Sequence, residues 1–180
     1  MTGNNLYLIG YRATGKTTVA RLLSDQLSRE AVDADDIIET RAGMPIKEIF
    51  AVDGEAGFRD LETEIVKELS QRSDTVVALG GGALQRSENR QQLSGTGVMI
   101  WLQAAAETIQ NRVEGDPTTG DRRPNLTAAG GFQEIQQLLS AREPVYQECA
   151  DYQVDTEDKS PASVAAEIHS WFVQHCSEEG

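Results

Sequence analysis

The sequence predicts an α/β fold in which a five-stranded parallel sheet is covered by helices on both faces. Three observations carry this. Short apolar runs of strand length alternate with longer stretches of helical period, and such alternation requires crossover connections of one hand. The first run leads directly into Gly10-Tyr11-Arg12-Ala13-Thr14-Gly15-Lys16-Thr17, which matches GxxxxGK[ST], and a helical pattern follows it. A chain of 180 residues is long enough for one well-buried α/β domain and short for two.

Leu6 to Gly10 is the first strand, and Val19, Ala20, Leu22, Leu23 and Leu27 form the apolar stripe of the helix after the loop. Glycines at Gly10 and Gly15 allow a tight, unobstructed turn whose N–H groups converge on an anion. The helix beginning near Lys16 aims its unpaired N–H groups and positive dipole end at the same point. Lys16 supplies a full charge for outer phosphates, and the Thr17 hydroxyl is placed to ligate Mg²⁺.

The second strand is short and acidic, Glu30-Ala31-Val32-Asp33-Ala34-Asp35-Asp36. Strand alternation points Asp33 and Asp35 the same way and leaves Asp36 to cap the next helix, Ile37 to Arg41. One acid can hold Mg²⁺ through water and the other accept a proton from a hydroxyl; capping and solvation is the competing account. Met44 to Phe50 reads as a short helix with Pro45 in its first turn. A longer helix follows from about Gly54 to Ser70, with Phe58, Leu61, Ile65, Val66 and Leu69 on one side. Arg59 and Glu62 lie one turn apart on another face, either as a solvated ion pair or as an arginine fork held by Glu62 for a carboxylate.

Thr75 to Leu79 is a continuous β run ending in Gly80-Gly81-Gly82, bare backbone that a ligand can approach closely. Gln85 to Leu93 is a polar helix, Val98 to Leu102 a buried strand, and Ala105 to Val113 a helix ending near Arg112. The segment from Glu114 to Leu126, with adjacent Arg122 and Arg123, is polar and rich in turn formers, the composition of a lid that can deliver an arginine. Phe132 to Arg142 and Glu143 to Cys149 read as two helices broken near Pro144. Tyr152 to Asp155 is the last strand, and Pro161 to Phe172 a terminal amphipathic helix. His169 and His175 carry no motif and read as surface residues.

The formal net charge is −13, which argues against nucleic acid or anionic membrane as partners. Seven of the 16 basic residues (Arg12, Lys16, Arg59, Arg112, Arg122, Arg123 and Arg142) fall in the stretches singled out above, an arrangement suited to small anionic ligands. No apolar run approaches the length of a membrane span, so the expected compartment is the cytoplasm. Cys149 and Cys176 lack metal-ligand spacing and read as reduced, a disulfide being the alternative. A monomer is expected.

Taken together, GYRATGKTT, VDADDIIE, IKEIF with GEAGFRDLE, LGGGAL, RRPNL, LSAREPVYQECAD and VDTEDKSP resemble the shikimate kinase family, from about Leu6 to Ile168. The resemblance implies a three-layer P-loop kinase fold. Its core would comprise 1–33, 72–112 and 132–180, with a substrate-binding helical region at 34–71 and a lid at 113–131. It implies that ATP phosphates lie on Ala13, Thr14, Gly15, Lys16, Thr17 and Thr18, with adenine near Arg112 and the loop from Lys159 to Pro161. Mg²⁺ would be held by Thr17 and, through water, by Asp33. Shikimate would be bound by Asp35, the candidate base, by Arg59 and Arg142, and by backbone at Gly81 and Gly82. Arg123 would be the lid arginine, acting in catalysis with Asp35 and Lys16. The implied reaction is transfer of the γ-phosphoryl group of ATP to the 3-hydroxyl of shikimate. The family loop usually carries glycine where this chain has Ala13, and the lid region is longer than usual, with Asp116 and Asp121 near the arginines. The alternatives are a kinase for another small hydroxy acid such as gluconate, and a nucleotide-binding sensor without transfer chemistry.

Overall fold

A computed structural model describes residues 4–115 and 130–178 of the chain. Five parallel strands run in the order β2-β3-β1-β4-β5: β1 Asn5–Ile9, β2 Glu30–Asp33, β3 Thr75–Ala78, β4 Gly97–Gln103 and β5 Tyr152–Asp155. Seven α-helices accompany them among the described residues: α1 Lys16–Leu27, α2 Ala34–Ala42, α3 Ile46–Ser70, α4 Ser87–Leu93, α5 Ala106–Gly115, α6 Gly131–Cys149 and α7 Pro161–Glu178. The expected sheet and its two helical layers are present.

The pleat sorts each strand's side chains into two cores. Leu6 and Leu8 of β1, with Val76, Ala78, Ile100, Leu102 and Val154 of its neighbours, pack against Val19, Ala20 and Leu23 of α1 and Val164, Ala165, Ile168 and Phe172 of α7. Tyr7 and Ile9 point the other way, with Val32, Val77, Met99 and Trp101, and meet Ile38, Phe58, Ile65, Val66, Leu69 and Tyr146 from α2, α3 and α6. Strands apolar on both faces are what a covered parallel sheet demands. In-register pairing of Leu6 with Val76 and Val98, and of Ile9 with Trp101, holds β1 between β3 and β4. The loop after β1 therefore opens at the crevice where strand order reverses, beside the carboxyl ends of β2 and β3.

Three expectations about elements change. The stretch around Pro144 is one helix, α6, with the proline inside it. Pro144 and Ser140, whose carbonyl loses its partner, are both exposed, so water can satisfy the freed group and the helix continues. The two helices expected over 44–70 are both present, meeting within α3 at a kink where Gly54 is non-helical (φ 71°, ψ −176°), but Pro45 stands just outside the first of them as its N-cap. Asp33, not Asp36, caps α2: its Oδ1 accepts from the Asp35 N–H at 2.9 Å, which places Asp35 and Asp36 in the first turn of the helix. A caprock of carboxylates at a helix N-terminus is favourable in the dipole field, and it ends the strand two residues earlier than alternation suggests. Most of the expected lid, including Asp116, Asp121, Arg122 and Arg123, lies outside the described residues, as does the side chain of Cys176. Among the described residues Cys149 is free, and no helix is long and apolar enough to cross a membrane.

Candidate active site

The loop between β1 and α1 is shaped by backbone no ordinary residue would choose. Gly10 sits at φ 135°, and a Cβ there would lie 2.5 Å from the Leu102 carbonyl oxygen. Gly15 caps α1 at φ 94°, with no side chain bonding to the first turn and no acid within it, so the helix's leading N–H groups are left for a ligand. Ala13 is a non-glycine at φ 61°. That left-handed conformation explains physically why glycine suits the position better. Buried Thr14 donates its hydroxyl to the Tyr11 carbonyl at 2.9 Å. Lys16 folds back over the loop, its Nζ donating to the carbonyls of Gly10 at 2.9 Å and Tyr11 at 2.7 Å. Its ammonium is thus stationed over the turn. Thr18 is exposed one position beyond Thr17.

At the foot of α1 the Thr17 hydroxyl donates to Asp33 Oδ2 at 2.6 Å. Burial, followed by the charge of nearby Asp35, pushes the Asp33 carboxyl above its usual range, and the Thr17 bond works against them. A cation would relieve that burden. The pair offers hard oxygen donors, which fit Mg²⁺, and no group of three His, Cys, Asp or Glu able to cage a metal occurs among the described residues. A metal here fits as one shared with phosphate and water.

The opposite wall is built from side chains. Arg59 of α3 is nearly buried and donates to Glu62 Oε2 at 2.7 Å, with Glu55 at 3.4 Å; Glu62 is itself buried. The solvated-pair account of Arg59 and Glu62 is thereby excluded, because a buried carboxylate there fixes the guanidinium. Gly82 packs directly on it: an added Cβ would sit 2.5 Å from both terminal nitrogens of Arg59. Gly81 backs onto the phosphate loop, where a Cβ would meet the Gly10 carbonyl at 3.3 Å, the Arg12 N–H at 3.4 Å and Arg142 Nη1 at 3.5 Å. The Gly81 carbonyl accepts a hydrogen bond from the buried Tyr146 hydroxyl, whose ring lies 5.7 Å from that of Trp101. Arg142 comes from the middle of α6, one turn before Tyr146. It is 7% exposed, rests on the Tyr11 ring at 5.5 Å, and has no acidic partner among the described residues.

Arg112 of α5 is tied down at the far side of the loop. Its Nη1 donates to Thr156 Oγ1 at 3.0 Å and to the Ala13 carbonyl at 3.4 Å, and its Nη2 to the Thr156 carbonyl at 3.0 Å. Edge-on bonds of this kind leave the guanidinium's faces for stacking. Lys159 pairs with Glu167 at 2.7 Å in the exposed turn that leads to Pro161 at the start of α7. The structure therefore brings Lys16, Thr17, Asp33, Arg59, Gly81, Gly82 and Arg142 around one crevice. Arg123 lies outside the described residues.

Sequence reasoning passed over Tyr11, Glu134, Tyr146 and Thr156. Tyr11 occupies an unspecified position of the loop motif, although a buried aromatic there was signalled by nothing but its type. Glu134 is fully buried and 3.6 Å from Arg12 Nη2. Its charge on an otherwise polar stretch gave no warning. His175, read as a surface residue, stacks on Trp171 at 4.7 Å, and Trp171 on Tyr152 at 4.8 Å.

This geometry has close counterparts. The family model described as shikimate kinase matches residues 12–172. A shikimate kinase of Rhodopirellula baltica is 45% identical over 164 residues, 91% of this chain and 88% of its own length. The solved structure of shikimate kinase from Acinetobacter baumannii in complex with shikimate superposes with a TM-score of 0.89 at 35% identity, covering 97% of this chain and 95% of that one. A gluconokinase from Sinorhizobium meliloti reaches a TM-score of 0.62 at 16% identity, a likeness of fold alone. With the match running through the phosphate loop, α3, the glycine turn and α6 alike, the chain belongs to the shikimate kinase family.

Proposed function

We propose that the chain transfers the γ-phosphoryl group of ATP to the 3-hydroxyl of shikimate, releasing ADP and shikimate 3-phosphate. The observation that carries this is Arg142: a nearly buried guanidinium without an acidic partner among the described residues, across the glycine turn from the Arg59 fork. An unneutralised charge so placed is costly unless an anion completes it, and a ring-borne carboxylate is of the right size and sign. Two arginines hold the acid end, so the hydroxyl side of the ring faces Asp35 in the first turn of α2.

In the transfer, Asp35 takes the proton of the 3-hydroxyl while that oxygen bonds to the γ-phosphorus in line with the departing β–γ bridging oxygen, which leaves with ADP. Main-chain N–H groups from Ala13 to Thr18 cradle the phosphates, and Lys16 swings from the loop carbonyls to the outer ones. Mg²⁺, for which Thr17 and Asp33 offer oxygens, would supply charge neutralisation to the phosphates when bound. Arg112 and the turn from Lys159 to Pro161 would flank the adenine, and Arg123 would come in from the lid, 113–131, over the 34–71 region. On this reading the enzyme works as a cytoplasmic monomer, which sedimentation equilibrium and cell fractionation would check. A coupled ADP-release assay with Mg²⁺ across shikimate, quinate and gluconate tests the assignment. Turnover of shikimate is expected; turnover of gluconate alone, or binding of ATP without any turnover, would overturn it.

A further inference from the structure

The turn after β5 and the start of α5 are fastened by one carboxylate. The Ile109 N–H donates to the Ala105 carbonyl at 3.0 Å, which makes Ala105 the cap of α5. Its own N–H is taken by Glu157 Oε1 at 2.8 Å, and the Thr108 hydroxyl, three residues on, donates to Glu157 Oε2 at 2.7 Å. In a capping box an acid from the helix's own first turn satisfies that N–H. Here the acid comes from 52 positions further along the chain. The residue before it, Thr156, is buried, donates its N–H and its hydroxyl to the Gln103 carbonyl at 2.9 and 2.7 Å, and accepts from Arg112. Ala105, Thr108 and Arg112 follow one another along one face of α5, so Thr156 and Glu157 together join turn to helix over two helical turns. At its far end the turn is closed by Ser160, whose Oγ accepts from the Ser163 N–H at 3.1 Å at the start of α7. Between these anchors Asp158 is a non-glycine at φ 54°, a conformation that persists only where its surroundings impose it.

We propose that Glu157 is a positioning residue for the nucleotide base: it sets the gap between Arg112 and the turn from Lys159 to Pro161 into which a flat ring system slides. This rests on the reading above in which those two elements flank the adenine. A base stacked between them needs walls about 7–8 Å apart, twice an ordinary carbon contact distance, and a gap wrong by about 0.5–1 Å forfeits a quarter to a half of the attraction. One wall stands on α5, whereas the other leaves from β5. Thr156 bonded to Arg112 is a single anchor, about which helix and turn can rock. Glu157 bonded to Ala105 and Thr108, one helical turn away, is the second anchor and fixes the angle between them. Glu157 need not touch the base to do this. The phosphate cradle belongs to the loop between β1 and α1 and is held by its own bonds, so loss of the tie acts on the base and spares the phosphates.

Calorimetric titration of the full chain with ADP and with inorganic pyrophosphate, both with Mg²⁺, separates the base from the phosphates. In Glu157→Ala the Kd for ADP should rise about three- to tenfold, the share of a stacking contact that a loosened gap loses, with the Kd for pyrophosphate unmoved. Glu157→Gln keeps an oxygen for the Ala105 N–H and an amide that can donate to the Thr108 hydroxyl, and should hold ADP affinity within about twofold of the unaltered chain. A role confined to stabilising α5 would lower Tm and leave both Kd values alone, or raise the two together, and either result would overturn the proposal. Arg112→Ala tests the reading underneath: it should raise the Kd for ADP about tenfold or more with pyrophosphate spared. If it does and Glu157→Ala does not, Glu157 loses its role and the adenine assignment stands. If it does not, the adenine lies elsewhere and the proposal falls with that assignment. Should Glu157→Ala fail to fold, Thr108→Val, which removes one of the two bonds from the helix side, decides in its place. A selective rise of about twofold in the Kd for ADP would support the tie, and no change would overturn it.

Discussion

The two walls of the crevice are made of different materials. The proposed phosphate side is mostly main chain: an eight-residue stretch with unusual φ values ending in a helix terminus, to which Thr14, Lys16 and Thr17 add side-chain bonds. The acid side is side chain: Arg59 from α3, Arg142 from α6 and a carboxylate, Glu62, that orients one of them, meeting over a glycine turn from β3. A backbone site fails when a dihedral is forbidden, whereas a side-chain site fails when a charge loses its counterpart. The sharpest tests therefore exchange one kind of damage for the other.

The largest effect is expected where the two walls face each other. Asp35→Asn removes the proposed proton acceptor and leaves the main-chain cradle untouched, so kcat should fall by about 10²-fold or more while ATP affinity, measured by titration, stays nearly constant. A kcat within a few-fold of the unaltered enzyme would take Asp35 out of the chemistry and leave it the role its position already gives it, a carboxylate in the first turn of α2.

Glu62→Gln comes next and probes what the side-chain wall depends on. It strips the buried countercharge 2.7 Å from Arg59, and removing one partner of a buried pair costs about 3–5 kcal/mol. The neighbouring Glu55 keeps some compensation at 3.4 Å, so about 2–3 kcal/mol is expected, a fall in Tm of roughly 5–10 °C for a domain of this size. Thermal denaturation followed by circular dichroism reads it directly. An unchanged Tm would mean that Arg59 is held by its neighbours and not by Glu62. Arg59→Lys then separates charge from shape. A point charge cannot replace a planar fork, and a hydrogen bond to a charged group is worth about 1.5–3 kcal/mol, so KM for shikimate should rise about tenfold or more with KM for ATP little altered. Equal rises in both would contradict the division of the crevice into two walls.

The same contrast governs what the sequence could reveal. The phosphate wall was legible because its parts are consecutive: glycines, lysine and threonine at fixed offsets encode a turn without help from the rest of the chain. The sheet was legible for a related reason, since runs apolar on both faces suit only a covered parallel strand. The Arg59–Glu62 pair was half legible. Its spacing shows one helical turn, but whether that face is wet or buried depends on the Gly82 turn packing against it from β3. Tyr146 and Glu134 were illegible because their partners, the Gly81 carbonyl and Arg12, are 65 and 122 positions away, and no local pattern carries such a distance. The error at Asp36 was of another kind. Three acids in four residues compete for one cap, and what settles it is the end of β2's pairing: Asp33 is the last residue in register, opposite Ala78.

Ala13 offers the smallest effect and the finest test of the backbone wall. An L-residue at φ 61° is disfavoured by roughly 1–2 kcal/mol, a cost that Ala13→Gly would lift. Glycine, however, also widens the unfolded ensemble, which costs about 0.4–1 kcal/mol. The two nearly cancel, so the variant's Tm should lie within about 3 °C of the unaltered chain, with ATP affinity preserved because the loop keeps its shape. Ala13→Val adds β-branching at the same dihedral, where no compensation exists, and should lose nucleotide affinity that Ala13→Gly retains. If valine were tolerated as well as glycine, the loop would have to adopt a different backbone when ATP binds. The alanine's left-handed φ would then not be the conformation that cradles the nucleotide, and the Arg112 bond to its carbonyl would be the contact to break next by mutation.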